Sequence, residues 1–125
     1  MPEELPETLS LAGPMRGYPF FNFAVFDAWA HTLRAMGYEV INPVEYDRIE
    51  GIHEFSDIGD GDATYERLKE RNRRCVGRAN ALALIQGWKQ SRGTSDELVW
   101  AKERKLPVQP AHVWVQLAYA QGRRP

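Results

Sequence analysis

The chain has 125 residues, with 16 basic side chains against 17 acidic ones and a formal net charge of −1. That length suits one domain with a real core, and the charge balance leaves no basic surplus for a nucleic-acid polymer. The single cysteine, Cys75, excludes an intrachain disulfide and fits a reducing compartment. No apolar run reaches the ~20 residues of a membrane span. The N-terminal MPEELPE is acidic and proline-rich, unlike a signal peptide, so a cytoplasmic protein with no membrane partner is expected, with residues 1–7 flexible.

TLSLAG (8–13) is a short apolar run closed by glycine and predicts a strand. It runs into a rigid loop, residues 13–19, that holds Gly13, Pro14, Met15, Arg16, Gly17 and Pro19. A helix is expected from Asn22, as its cap, to Gly37, with Phe23, Phe26, Trp29 or Ala30, Leu33 and Met36 on its apolar stripe. YEVIN (38–42) predicts a second strand, stopped by Pro43. Residues 43–62 show no periodicity and several glycines, and read as a long functional loop. From about Ala63 to Ala79 a second helix turns Tyr65, Leu68, Asn72, Cys75, Val76 and Ala79 inward. ALALI (81–85) is apolar throughout, as a strand covered on both faces should be. QGWKQSRGTS (86–95) reads as a loop, DELVWAKERK as a third helix and LPVQ as a fourth strand. The tail, residues 111–125, reads as an added strand or as an arm over a subunit interface.

This alternation predicts a single α/β domain over residues 1–125, a three-layer, Rossmann-like parallel sheet of 4–5 strands with helices on both faces. Ligands in such folds bind at the carboxyl ends of the strands, where loops 13–19, 43–62 and 86–95 should meet. The first loop has neither G-x-G-x-x-G nor the Walker A pattern, so Arg16 is either an ordinary surface arginine or an anion contact. In SRGTSDE (91–97), Ser91, Thr94 and Ser95 offer hydroxyls, and Gly93 lets a ligand approach the backbone. They precede a helix N-terminus, where phosphate is a natural guest. The plainer reading is a capping box, Thr94-x-x-Glu97.

Asn72 sits on an apolar stripe and either braces a loop or faces a pocket, while Cys75 reads as core. His31, His53 and His112 have no ligand spacing with Cys75, so no metal is expected. DIGDGD (57–62) misses the calcium-loop pattern and reads as a turn into an Asp62 cap. Trp88 either stacks on a base or anchors its loop, and Glu45 and Asp47 are candidate base contacts.

The segments LAGPMRGYPFFNFAVFDAWAHTLRAMGYEVINPVE and ALIQGWKQSRGTSDELVWA resemble a bacterial and phage domain family of unassigned function. That family is related to the nucleoside 2-deoxyribosyltransferases and the 2′-deoxynucleoside 5′-monophosphate N-glycosidases. The resemblance spans residues 8–109 and implies a small α/β homodimer that acts on a nucleotide without a cofactor. It implies that Glu97, in the first turn of a helix, is the nucleophile, that Ser91 meets the 5′-phosphate, and that Arg16 belongs to the same anchor. Gly13, Pro14, Met15, Gly17 and Gly93 would complete the substrate cradle. A tyrosine of the enzymes falls at Ser10, and their catalytic aspartate falls at Asn72. The expected function is cleavage of an N-glycosidic bond in a (deoxy)nucleoside 5′-monophosphate; the alternative is a non-catalytic nucleotide-binding module of the same fold.

Overall fold

The computed structural model describes residues 4–53 and 62–125, apart from the side chains of residues 62–65. The elements are β1 (Thr8–Ala12), α1 (Phe23–Ala35), β2 (Glu39–Ile41), α2 (Pro43–Ile49), α3 (Asp62–Gly77), β3 (Ala81–Leu84), α4 (Arg92–Glu103), β4 (Val108–Pro110) and α5 (Ala111–Ala120). The described strands form one four-stranded parallel sheet in the order β2-β1-β3-β4. Helices cover both faces, so the domain is a three-layer α/β fold of Rossmann-like type.

Strand alternation divides the core. Leu9 and Leu11 of β1 face α1 and α5, in one cluster with Phe26, Leu33 and Trp114. Ala12 faces the other layer with Leu82 and Leu84 of β3, Val76 of α3 and Ala101 of α4. All four residues of β3 are buried, as a strand between two helical layers requires. On α1 it is Ala30, at 1% exposure, that fills the stripe beside Phe26 and Leu33. Trp29 packs against the same cluster only partly buried.

Five expectations need correction. The stretch after β2 is not all loop: Asn42 accepts a hydrogen bond from the Val44 amide at 3.1 Å, Pro43 starts the turn, and α2 follows. Seven residues are too few to display a helical period. The tail forms α5 and no added strand; Ala111, Trp114 and Ala118 face the chain's own core. Trp114 Nε1 donates to the Leu82 carbonyl at 2.8 Å, and the Tyr38 hydroxyl donates to the Trp114 carbonyl at 2.7 Å. Residues 4–7 are docked, since Leu5 packs on the core and the Glu7 carbonyl accepts from the Glu39 amide at 2.9 Å.

Asn22 does not cap α1 with its side chain; its backbone is left-handed at φ 62°. Finally, α4 begins at Arg92, four residues before the expected start at Asp96, because Ser91 is its cap. The DIGDGD turn, the Asp62 cap and the inward Tyr65 fall outside the described residues and side chains. No helix among the described residues is long and apolar enough to cross a membrane.

The chain passes from β1 to β2 on one side and returns to β3 on the other side of β1. The crossovers therefore diverge at the carboxyl ends of β1 and β3, the place where such sheets open a crevice. Gly13 sits at that point: a Cβ there would lie 2.7 Å from the Ile85 Cβ. We expect Gly13→Ala to cost ~1–3 kcal/mol in denaturant unfolding, because two strand ends must separate. Gly77→Ala is the control, since a Cβ at Gly77 meets nothing within 4 Å and alanine suits a helix. Equal midpoints for the two variants would contradict the close strand contact.

Candidate functional site

A cavity of about 430 Å³ opens at this switch point, within the size range of small-molecule sites. Residues from all three expected loops reach its wall: Gly13 to Tyr18 after β1, Pro43, Asp47 and Ile52 after β2, and Gln90 to Gly93 after β3. Leu11, Phe21, Phe23, Phe26 and Leu68 make much of the wall apolar.

The first loop is held in an unusual shape. Gly17 has φ 82°, and Phe20, Phe21 and Asn22 follow one another at φ 52°, 56° and 62°. Left-handed backbone costs a side-chain-bearing residue ~1–2 kcal/mol, so neighbouring contacts must hold the run in place. Asn22 supplies one: its Nδ2 donates to the Pro14 carbonyl at 2.9 Å and ties the end of the loop to its start. The loop after β3 packs against it. Gly87, at φ 93°, leaves no space for a Cβ beside the Tyr18 hydroxyl and Pro14.

Ser91 joins both loops to α4. Its Oγ accepts from the Thr94 amide at 3.2 Å and donates to the Gly13 carbonyl at a long 3.5 Å. This corrects the expected capping box: Ser91 is the cap, and Thr94 is fully buried. Arg92 and Gly93, at the first two helical positions, have amides beyond the reach of the helix's own carbonyls, and both residues line the cavity. Arg16, Lys69 and Arg92 are the cationic residues of the wall. Cationic residues and a helix N-terminus in the same wall suit the cavity to an anion.

Glu97 also lines the cavity, but in the second turn of α4 and not the first. At 7% exposure it is beyond the strongest reach of the helix dipole. Burial pushes its carboxyl from the ordinary 4.5 up to about 8; the Arg71 charge pulls the other way, and Asp96 adds to the rise.

Arg71 is the residue the sequence reading missed. It is 6% exposed on α3, and its Nη1 donates to Asp47 of α2 and, at 3.5 Å, to Glu50. Its Nε and Nη2 donate to Asn72 Oδ1 at 3.3 and 3.1 Å. Burial raises the Asp47 carboxyl above its ordinary 3.8, against the attraction of Arg71. One guanidinium thus pairs directly with the buried Asp47 and acts on the buried Glu97 through its charge alone. In the sequence, Arg71 lies outside the inward stripe of its helix; its contact with Asp47 of α2 buries it.

Among the other candidates, Asn72 is half-buried and lines the cavity. Ser10 does not reach it: at 2% exposure it lies within β1, on the strand face opposite Leu11. Glu45 is also outside, because Arg34 holds both its oxygens at 2.7 and 2.8 Å. Trp88 packs against the cluster of Leu82 and Leu84 and lines a neighbouring cleft. Cys75 is buried core, and burial raises its thiol. Asp96 and Trp100 join the wall beside Glu97 without having been singled out. Among the described residues, no group of three or more His, Cys, Asp or Glu side chains is placed to hold a metal ion.

The Glu97 environment predicts a pH-dependent stability. Below 4.5 both folded and unfolded chains hold the proton; between 4.5 and about 8 the unfolded chain releases it first, and stability falls. Above about 8 the loss is complete. Glu97→Gln removes this linkage, so its melting temperature should match wild type at acid pH and exceed it by several degrees at about pH 9. Differences that stay constant across this range would show that Glu97 is not held protonated.

No curated protein and no solved structure matches the chain. Residues 7–109 match a family described as a domain of unknown function, DUF4406. The matched span includes every loop of the cavity and stops within β4, before α5. The chain therefore belongs to the DUF4406 family of domains of unknown function.

Proposed function

We propose that this domain cleaves the N-glycosidic bond of a (deoxy)nucleoside 5′-monophosphate, with Glu97 as nucleophile. The observation that carries the reading is Glu97 buried in the wall of a largely apolar cavity that Arg16, Arg92 and the N-terminal residues of α4 also line. A nucleotide has the matching polarity: an anionic phosphate, a flat heterocycle, and a sugar carbon between them. The Ser91 hydroxyl accepts from the Thr94 amide but donates only over a long contact to the Gly13 carbonyl, so its proton is available to a phosphate oxygen. The sequence resemblance points to the same chemistry, and with it to a homodimer in the cytoplasm.

In the reaction, a carboxylate oxygen of Glu97 bonds to the anomeric carbon as the carbon–nitrogen bond breaks. The electron pair goes to the base nitrogen, which takes a proton from water. Water then cleaves the glycosyl ester, or a second base accepts the sugar. Phosphate held away from the reacting carbon supplies binding energy for orientation. The reactive form is the carboxylate, so base release should rise as pH climbs through about 8.

A second reading, a nucleotide-binding module without catalysis, is favoured by Asn72, which has no proton to give a leaving base, and by the protonated Glu97 at neutral pH.

Incubation with a panel of nucleoside 5′-monophosphates, followed by chromatography for free base, tests both readings. We expect release from at least one monophosphate, slower release from its matched nucleoside, and a loss of ~10³-fold or more in Glu97→Gln. Tight binding without release would move the account to the binding module. Undiminished turnover in Glu97→Gln would remove Glu97 from the chemistry.

A further inference from the structure

The amide of Asn72 is not free to present either end to the cavity. Its Oδ1 accepts from two nitrogens on one edge of the Arg71 guanidinium, Nε at 3.3 Å and Nη2 at 3.1 Å. Turning the amide over would set its NH₂ against those N–H groups, donor against donor, and lose both bonds. Arginine has no acceptor and keeps its proton, so it cannot adapt. Nor can it swing away. It is 6% exposed, and Nη1 is held on the opposite side by Asp47 of α2, itself 3% exposed. Asn72 Nδ2 has no partner among the described residues, and Asn72 lines the cavity. The donor end is the one left for a ligand.

We propose that Arg71 is a positioning residue that locks the Asn72 amide with its N–H donors toward the cavity, so that the site recognises a heterocycle through a hydrogen-bond acceptor, a ring carbonyl or an unprotonated ring nitrogen. The identity of that heterocycle as a nucleotide base rests on the function proposed above; the lock itself does not. A base edge that offers only an amino group meets two donors and is rejected, since unpaired polar groups in a dry site are costly. Asp47 takes part by holding Arg71, and a carboxylate in place of Asn72 would reverse the polarity by offering only acceptors.

The test joins side-chain ¹⁵N NMR to calorimetry on wild type, Arg71→Lys and Asn72→Asp. The probes are 2′-deoxyuridine 5′-monophosphate, which carries two ring carbonyls, and 2-deoxyribose 5-phosphate, which carries no base. In the free wild type, the Arg71 Nε–H should be protected from solvent exchange. On adding the nucleotide, the Asn72 Nδ2 protons should shift. Both variants should bind the nucleotide ~10–100-fold more weakly, the range for one lost hydrogen bond in a buried site. Their affinity for the sugar phosphate should stay within ~2-fold of wild type. An Arg71 Nε–H that exchanges freely, Asn72 protons that do not move at nucleotide saturation, or equal weakening for both probes would each overturn the proposal. Should Arg71→Lys fail to fold, Asn72→Asp carries the same comparison. A protected Nε–H in a wild type that does not bind the nucleotide would support the lock and overturn the nucleotide reading.

Discussion

The guanidinium of Arg71 is the interaction on which the candidate site depends. It is buried between α2 and α3, where it donates to Asp47, to Glu50 and to Asn72, and its charge also reaches Glu97. A cation so placed is costly without partners, and the partners exceed what one charge can balance. Glu97, with burial opposing its ionisation and only Arg71 in favour, is the group whose carboxyl moves up to about 8. The same arginine fixes the direction of the Asn72 amide. One side chain thus opposes the burial-driven protonation of one cavity residue and sets the hydrogen-bonding polarity of another.

The backbone provides the frame for these groups. Gly13 lets β1 and β3 lie close at their carboxyl ends, and the loops that leave them touch through Gly87, Pro14 and Tyr18. Ser91 then ties the first loop to the start of α4. The left-handed run from Phe20 to Asn22 shows that contacts in this region are strong enough to hold strained backbone. Phe21, within that run, forms part of the cavity wall, so the strain shapes the site directly.

The sheet was legible because β1 and β3 are short apolar runs bounded by glycine or polar residues, and because Phe26, Leu33, Cys75 and Val76 recur at helical spacing. The meeting of three loops followed from the parallel topology alone. Naming Arg16, Ser91 and Glu97 as one site rested on the family resemblance, and all three line the cavity. What stayed hidden depended on tertiary contact. Helix α2 is too short to show a period, and without it nothing in the sequence pairs Arg71 with Asp47. The tail misled because VWV suits a strand, whereas the deciding feature is the Ala111, Trp114, Ala118 stripe that meets β3 and Tyr38. The start of α4 was displaced because both Ser91 and Thr94 are good caps, and only the bond from the Thr94 amide to Ser91 decides between them.

The claim at the centre of this account is that Glu97 attacks the anomeric carbon of a nucleotide. A 2-fluoro-substituted arabinosyluracil 5′-monophosphate tests it most directly, because fluorine beside the anomeric carbon slows hydrolysis of a glycosyl ester and lets it accumulate. Intact-protein mass spectrometry above about pH 8, where the carboxyl is ionised, should then show one fluorosugar phosphate per chain. Peptide mapping should place it on Glu97, and Glu97→Gln should carry none. Free uracil released without an adduct, an adduct on Asp96 or Asp47, or an unmodified chain with no release would contradict the claim.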